Sequence, residues 1–299
     1  MNIEKLYAFA PRARVLENEP LARHTTFRVG GPADVLFLPE SAEELRRAME
    51  LAREAGEECL VIGNGSNLLV RDGGVRGLVI KLAGPMSGVS VEGTAIRAQA
   101  GASLSQVSRA ALQASLTGLE FASGIPGSLG GALAMNAGAY GGELSQVVRE
   151  ATVLMDGGVQ TLSREELAMG YRTTRVLREG GIVLSAVLDL KEGDASQIAE
   201  TMDELNRRRR EKQPLSFPSA GSTFKRPEGY FAGALIEQAG LKGYAIGGAQ
   251  VSEKHAGFLI NRGGATASDL LRLIEYVQER VYAQSGVRLE TEVRICGVD

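Results

Sequence analysis

Residues 124 to 142 read Gly124-Ile125-Pro126-Gly127-Ser128-Leu129-Gly130-Gly131-Ala132-Leu133-Ala134-Met135-Asn136-Ala137-Gly138-Ala139-Tyr140-Gly141-Gly142. Seven glycines in nineteen residues are too many for a helix or strand built for stability, because each loses more backbone freedom on folding than any other residue. Something must offset that loss. A backbone without Cβ atoms lets a flat or phosphorylated ligand approach closely, and successive amides can point at an anion. The plainer reading of such a cluster is a glycine-rich turn between strands.

A second cluster favours the ligand. Cys59-Leu60-Val61-Ile62 reads as a short buried strand, and Gly63-Asn64-Gly65-Ser66-Asn67 follows it directly, before the apolar run Leu68-Leu69-Val70. A strand feeding Gly-x-Gly suggests a dinucleotide-binding turn, yet Leu68 stands where the third glycine belongs and no helical period follows. The G-x-x-x-x-G-K-[ST] pattern is also missing from the sequence. What remains is a phosphate-cradling loop in which backbone amides and the side chains of Asn64, Ser66 and Asn67 supply donors without a helix dipole.

The 299 residues exceed what one hydrophobic core usually serves, so two or three domains are expected. A formal charge of −3 gives no electrostatic footprint for nucleic acid, and 5% aromatics with no tryptophan argue against a base-stacking platform. The apolar runs fall well short of the roughly 20 residues a membrane helix needs, and no basic-then-apolar leader pattern opens the chain. The expectation is a cytoplasmic protein with neither a membrane nor a nucleic acid as partner, monomeric or weakly oligomeric. Cys59 and Cys296 lie far apart without C-x-x-C and read as small buried hydrophobes in a reducing compartment. No His/Cys/carboxylate cluster has metal-ligand spacing, so no metal is expected.

In chain order, Ile3, Leu6, Tyr7 and Ala10 predict a short packing helix, and Asp34 to Leu38 a strand. Ser41-Ala42-Glu43-Glu44 reads as a capping box before a helix with Leu45, Ala48, Met49 and Ala52 on one face, ended by Gly56. Val89–Val91 and Ala95–Ala100 predict a hairpin, Ser103 to Gln106 a capped helix, Ala151–Met155 and Val159–Leu162 a hairpin turning at Asp156-Gly157-Gly158, and Ile182–Leu190 a long buried strand. From Asp194 a helix with Ile198, Met202 and Leu205 inward runs into Arg207-Arg208-Arg209-Arg210, read as a solvated helix end whose cations complement the dipole, with contact to a phosphate as the sharper alternative. A second long helix carries Leu270, Ile274, Val277 and Val281 and closes at Gly286. The terminal strand should face Val287, Leu289, Val293 and Ile295 inward and Glu290 and Glu292 the other way. The domains expected are residues 1–84, 85–200 and 201–299.

Seven motifs now combine: His24-Thr25-Thr26-Phe27 with Gly30-Gly31, the Gly63 loop, Gly124-Ile125-Pro126-Gly127-Ser128, Asn136-Ala137-Gly138-Ala139-Tyr140-Gly141, Tyr171-Arg172, Ser219-Ala220-Gly221-Ser222 and Glu290-Thr291-Glu292-Val293-Arg294. In this order the chain resembles the UDP-N-acetylenolpyruvoylglucosamine reductase family, in its shorter branch without a tyrosine-bearing insertion. The resemblance implies an α+β fold, with a two-subdomain FAD-binding module of the vanillyl-alcohol-oxidase type and a C-terminal substrate domain. It also implies non-covalent FAD, NADPH as reductant, and a nucleotide-sugar substrate in peptidoglycan synthesis. Carried onto this sequence, it implies catalytic roles for Arg172, Ser222 and Glu292. It implies cofactor contacts at Gly63, Asn64, Gly65, Ser66 and Asn67, at Gly124, Ile125, Pro126, Gly127, Ser128 and Gly131, and at Asn136, Ala137 and Gly138. Substrate contacts would come from Tyr171, Lys212, Arg226 and His255. Arg226 departs from the family, where asparagine is common. Taken by themselves, Arg172 also reads as a surface arginine, Ser222 as a turn hydroxyl bonded to its own backbone, Glu292 as one carboxylate of a solvated strand face and His255 as a structural histidine.

Overall fold

A computed structural model describes residues 3–156 and 158–299. The chain divides into two compact units, each assembled from separated segments. One contains residues 1–15, 37–64 and 80–209, and the other 16–36, 65–79 and 210–299.

The first unit is built on a five-stranded antiparallel sheet in the order Gly158–Ser163, Val148–Met155, Ile182–Asp189, Ala95–Gln99, Val89–Glu92. Period-two alternation buries Ile96 and Ala98 on one strand and Ala151 and Val153 on another, while Ile182–Asp189 is central and buried along most of its length. Both expected hairpins form, although the turn residue Gly157 lies outside the described residues. Helix Leu104–Gln113 starts in a complete capping box between Ser103 and Gln106. Helix Leu129–Ala134 packs on the central strand Ile182–Asp189. Gly130 lies against the end of the neighbouring strand Ala95–Gln99, where a Cβ would come within 2.8 Å of Ala100 Cβ.

Helix Ala42–Glu54 buries Leu45, Ala48 and Ala52 as the spacing predicts, and Gly56 closes it at φ +69°. Its N-terminus corrects one expectation. Ser41 Oγ accepts the Glu44 amide at 3.2 Å, but the Glu44 carboxylate accepts from the Glu40 amide and from Arg14, so no reciprocal box forms. A long-range arginine outcompetes the local cap because its charged fork is the stronger donor. Cys59–Ile62 is a strand in which only Ile62 is fully buried, and both cysteines are half-buried rather than core residues.

The second unit centres on helix Ala267–Ser285, whose Leu270, Leu273, Ile274, Val277 and Val281 form the core with Leu69, Phe224, Ile236, Leu259 and Val293. Each such side chain removed from water contributes roughly 1.5–3 kcal/mol. The helix begins with a capping box between Thr266 and Asp269, and Asp72 also accepts the Ala267 and Ser268 amides at 2.8 Å each. Gly286 ends it in the left-handed conformation. Strands Ala245–Ile246, Ala249–Val251 and Leu259–Asn261 form an antiparallel sheet with its turn at Gly247-Gly248.

Two further elements depart from expectation. Helix Ala195–Lys212 takes in all four arginines as expected, but Arg209 is buried rather than solvated, while Met202 and Leu205 are only half-buried. The terminal segment is not one long strand. Among the described residues its one ladder is Arg294–Cys296, in parallel with Leu68–Val70, flanked by isolated bridges from Thr291 to Phe224 and from Val298 to Gly74, and Ile295 is exposed. Before it, the Lys225 amide donates to the Glu290 carbonyl and the Glu292 amide to the Thr223 carbonyl, so this stretch bonds a loop instead of a ladder.

Candidate active site

Within the first unit the two glycine-rich stretches meet. A Cβ on Gly63 would collide with the Ser128 side chain, so the end of strand Cys59–Ile62 lies directly on the start of helix Leu129–Ala134. The Leu129 and Gly130 amides donate to the Ala102 and Ala100 carbonyls, at 2.8 and 2.9 Å, and the Gly127 carbonyl accepts the Leu104 amide. These bonds hold the backbone close to its neighbours. Gly131 is different: it is exposed, its φ is not positive, and an added Cβ would meet only Ser128 Oγ, at 3.7 Å. Packing within the chain gives no reason for a glycine there. A surface whose Cβ positions are empty without internal need is what a flat cofactor requires, so the residues present fit a bound flavin.

Asn136, 1% exposed, ties this stretch to the loop that carries Arg172. Its Nδ2 donates to the Gly170 carbonyl at 3.2 Å and its Oδ1 accepts the Ser145 amide at 2.9 Å. Thr174, fully buried, donates from Oγ1 to the Ala134 carbonyl at 2.9 Å. Between these anchors Arg172 adopts φ +55°, a left-handed conformation that costs a non-glycine residue about 1–3 kcal/mol. Arg172 Nη2 lies 3.5 Å from the Gly138 carbonyl, at the long limit of a hydrogen bond, and the guanidinium lies 5.2 Å from the ring of exposed Tyr171. Asn136 and Tyr140 share the left-handed backbone. Asn18, Arg28, Ser115 and Ala168 share this conformation too, so it is its occurrence at Arg172 itself that bears on the role the resemblance implies.

In the second unit, Gly65 has φ +62° and a Cβ there would strike the His24 carbonyl, while the Thr26 amide donates to the Gly65 carbonyl at 3.2 Å. This ties His24-Thr25-Thr26-Phe27 to the second half of the Gly63–Asn67 loop. Asn67 Nδ2 donates to the Glu292 carbonyl at 3.0 Å, so one of its amide protons holds backbone. Thr223, fully buried, accepts the Leu259 amide on Oγ1 at 3.1 Å and the Glu292 amide on its carbonyl at 2.8 Å. Ser222 precedes this anchor and follows Gly221 at φ +77°. Among the described residues nothing bonds the Ser222 hydroxyl, so it is not a turn hydroxyl satisfied by its own backbone.

The two carboxylates that look equivalent in sequence are not equivalent here. Glu290 is exposed and paired with Lys225 at 3.0 Å, whereas Glu292 is half-buried, its amide donating to the Thr223 carbonyl and its carbonyl accepting the Asn67 side-chain amide. Arg226 is exposed; its Nε donates to the Tyr230 carbonyl at 3.3 Å and its guanidinium stacks 4.0 Å above Phe231. Lys212 is exposed at the end of its helix. Half-buried His255 accepts the Gly257 amide on Nδ1 at 3.2 Å and meets Phe258 edge-on; burial lowers its pKa from the ordinary histidine value. Among the described residues no group of three or more His, Cys, Asp or Glu side chains is placed to hold a metal, and no helix is long and apolar enough to cross a membrane.

Comparison with known proteins bears on both units. Residues 33–163 match the family described as FAD binding domain, and residues 213–296 match that described as UDP-N-acetylenolpyruvoylglucosamine reductase, C-terminal domain. The chain is 54% identical to the UDP-N-acetylenolpyruvoylglucosamine reductase of Pediococcus pentosaceus over 96% of each protein. The chain belongs to the UDP-N-acetylenolpyruvoylglucosamine reductase family. The reductase of Latilactobacillus sakei is 55% identical over 95% of this chain and 93% of that protein. The crystal structure of the family member from Thermus caldophilus superposes with a TM-score of 0.82, at 40% identity over 94% of this chain and 97% of that one. The fold is α+β, and its FAD-binding part is of the vanillyl-alcohol-oxidase type. The grass pollen allergen Phl p 4 shares that fold alone, at a TM-score of 0.51 and 16% identity over 64% of this chain and 44% of that one. Sequence reasoning for this reductase family member passed over Arg209 and the clamp made by Asn136. Arg209 had a signal, since it extends the inward spacing of Ile198, Met202 and Leu205 by one further turn.

Proposed function

We infer that this chain is an FAD-containing, NADPH-dependent oxidoreductase. It reduces the enolpyruvyl group of UDP-N-acetylglucosamine enolpyruvate, giving UDP-N-acetylmuramate for peptidoglycan synthesis in the cytoplasm. The observation that carries the reading is near full-length relationship to proteins named for this reduction. FAD, when bound, supplies hydride obtained from NADPH to the terminal carbon of the enolpyruvyl double bond. Gly63 to Asn67, Gly124 to Ser128, Gly131 and Asn136 to Gly138 would hold it. Residues 1–84 and 85–200 serve the cofactor and 201–299 the substrate.

Reduction leaves negative charge on the carbon beside the substrate carboxylate. Arg172 stabilises that charge: a guanidinium stays protonated, grips a carboxylate bidentately, and the strained backbone holds it in one direction. Ser222 donates the proton to that carbon. A hydroxyl is a weak acid, but the carbanion is a strong base, and a hydroxyl with no internal acceptor loses no hydrogen bond in the transfer. Glu292 orients or assists this step. Tyr171, Lys212, Arg226 and His255 contact the substrate, the two cations suiting its diphosphate.

The absorption spectrum of the purified protein tests the reading directly. A flavin band that bleaches with anaerobic NADPH and returns when the enolpyruvyl sugar is added is expected. A band that bleaches and never returns would remove the substrate, and a colourless protein unable to take up FAD would remove the whole proposal. Ser222→Ala should reduce its flavin with NADPH normally while turnover of the sugar nearly vanishes; undiminished turnover would take Ser222 out of the mechanism.

A further inference from the structure

Arg209 stands apart from the other three arginines in its run. It is 9% exposed, and among the described residues no carboxylate pairs with it. Burial lowers its pKa from the usual arginine value, opposed by Tyr140, yet a guanidinium remains charged in proteins. A buried cation without a counter-charge is costly, so its surroundings matter. Its Cζ lies 5.8 Å from the centre of the Tyr140 ring. A Cβ added to Gly124 would come within 3.0 Å of its Nε. One turn earlier on the same helix, Asn206 Nδ2 donates to Ser123 Oγ at 3.2 Å. The helix therefore grips the glycine-rich stretch at its start and again at Tyr140.

The segment from Asn136 to Gly142 is held at Asn136 and Gly138, by Gly170 and Arg172, and at Tyr140, by Arg209. Tyr140 needs such a hold. It sits in the left-handed region at φ +55° with its side chain 42% exposed, so its own burial does little to keep it there. We propose that Arg209 is a positioning residue that holds the Tyr140 turn, and through it the Gly138 carbonyl against which Arg172 rests. The kinetic consequence rests on the reaction proposed above; the positional consequence does not.

Amide hydrogen exchange on the FAD-loaded protein tests the position. In Arg209→Met, exchange of residues 138–142 should accelerate by about tenfold, the equivalent of one desolvated cation–π contact, while the five-stranded sheet is unchanged. Tyr140→Ala removes the partner from the exposed side and should loosen the same amides without threatening the fold. Unchanged exchange in that segment, or acceleration spread evenly over the chain, would overturn the proposal. A double-mutant cycle on kcat supplies the second readout. Arg209→Met should lower kcat with little change in KM, Arg209→Lys should restore part of the loss, and Arg209→Met should cost nothing further in a Tyr140→Ala background. Additive losses would mean that Arg209 does not act through Tyr140, and would also overturn it. If the exchange pattern appears but the wild type fails to turn over the sugar, the proposed reaction falls and the positioning role stands.

Discussion

Gly131 separates two reasons for a glycine. At Gly130 a side chain would strike Ala100, whereas at Gly131, one position on in the same helix, the chain itself leaves room. Gly131→Ala should therefore raise the melting temperature of the FAD-free protein slightly, since alanine is favoured over glycine in a helix by about 1 kcal/mol, and yet weaken FAD binding. Thermal melts with and without FAD check both halves. Arg172→Lys keeps the charge but loses the planar fork, and turnover should fall on the order of 10²–10³-fold with flavin retained; loss of flavin on purification would instead assign Arg172 to the cofactor. At this scale the sequence was most legible where a residue type is itself informative, as with glycine. It was silent on Glu290 against Glu292, because alternation along a strand places both on one side. The bonds of the Glu292 backbone to the Thr223 carbonyl and from the Asn67 side chain, and the pairing of Glu290 with Lys225, distinguish them.

Among the elements, helix Ala42–Glu54 carries a charge device that its capping signature hides. Glu44 accepts two bonds from Arg14, which lower its pKa below the usual carboxylate value of 4.5, against the effect of burial and with help from the Glu40 amide. A carboxylate whose folded pKa is depressed adds stability above its unfolded pKa and loses it as pH falls through the folded value. Glu44→Gln should therefore melt lower than the wild type at pH 7, and the difference should start to shrink as the pH falls below 4.5 and vanish only below the lowered folded value. Parallel melting curves at pH 3 and pH 7 measure it. The hairpins at Val89–Gln99 and Val148–Ser163 and the long helix ended by Gly286 were readable because their periodicity and turn residues are local. Helix Ala195–Lys212 was readable in existence but not in its last turn. Four consecutive arginines mask the fact that one faces inward, and a charged residue at an inward position is the pattern a propensity argument discounts.

For the whole molecule, binding of FAD to the folded state alone should raise the melting temperature by mass action, by several degrees when free FAD exceeds its dissociation constant by about 100-fold, a gain of about 2.7 kcal/mol. A calorimetric titration with FAD reads it, and no shift would mean that the folded chain does not bind the cofactor. The two compact units are discontinuous, and the strands Pro32–Phe37 and Val75–Lys81 each run from one into the other. No shift of composition marks these crossings. What the amino-acid sequence determined by itself was most of the long helices and hairpins, the two glycine-rich stretches and, through seven ordered motifs, the family, because each depends on local backbone preference or on residues near one another along the chain. Only the tertiary structure decided that Gly63 lies on Ser128, that Arg172 is held in a strained turn by Asn136, and that Ser222 keeps an unbonded hydroxyl beside a buried Thr223. Those facts depend on which distant backbone groups satisfy one another once the core has closed, and long-range pairing of that kind has no signature in spacing alone.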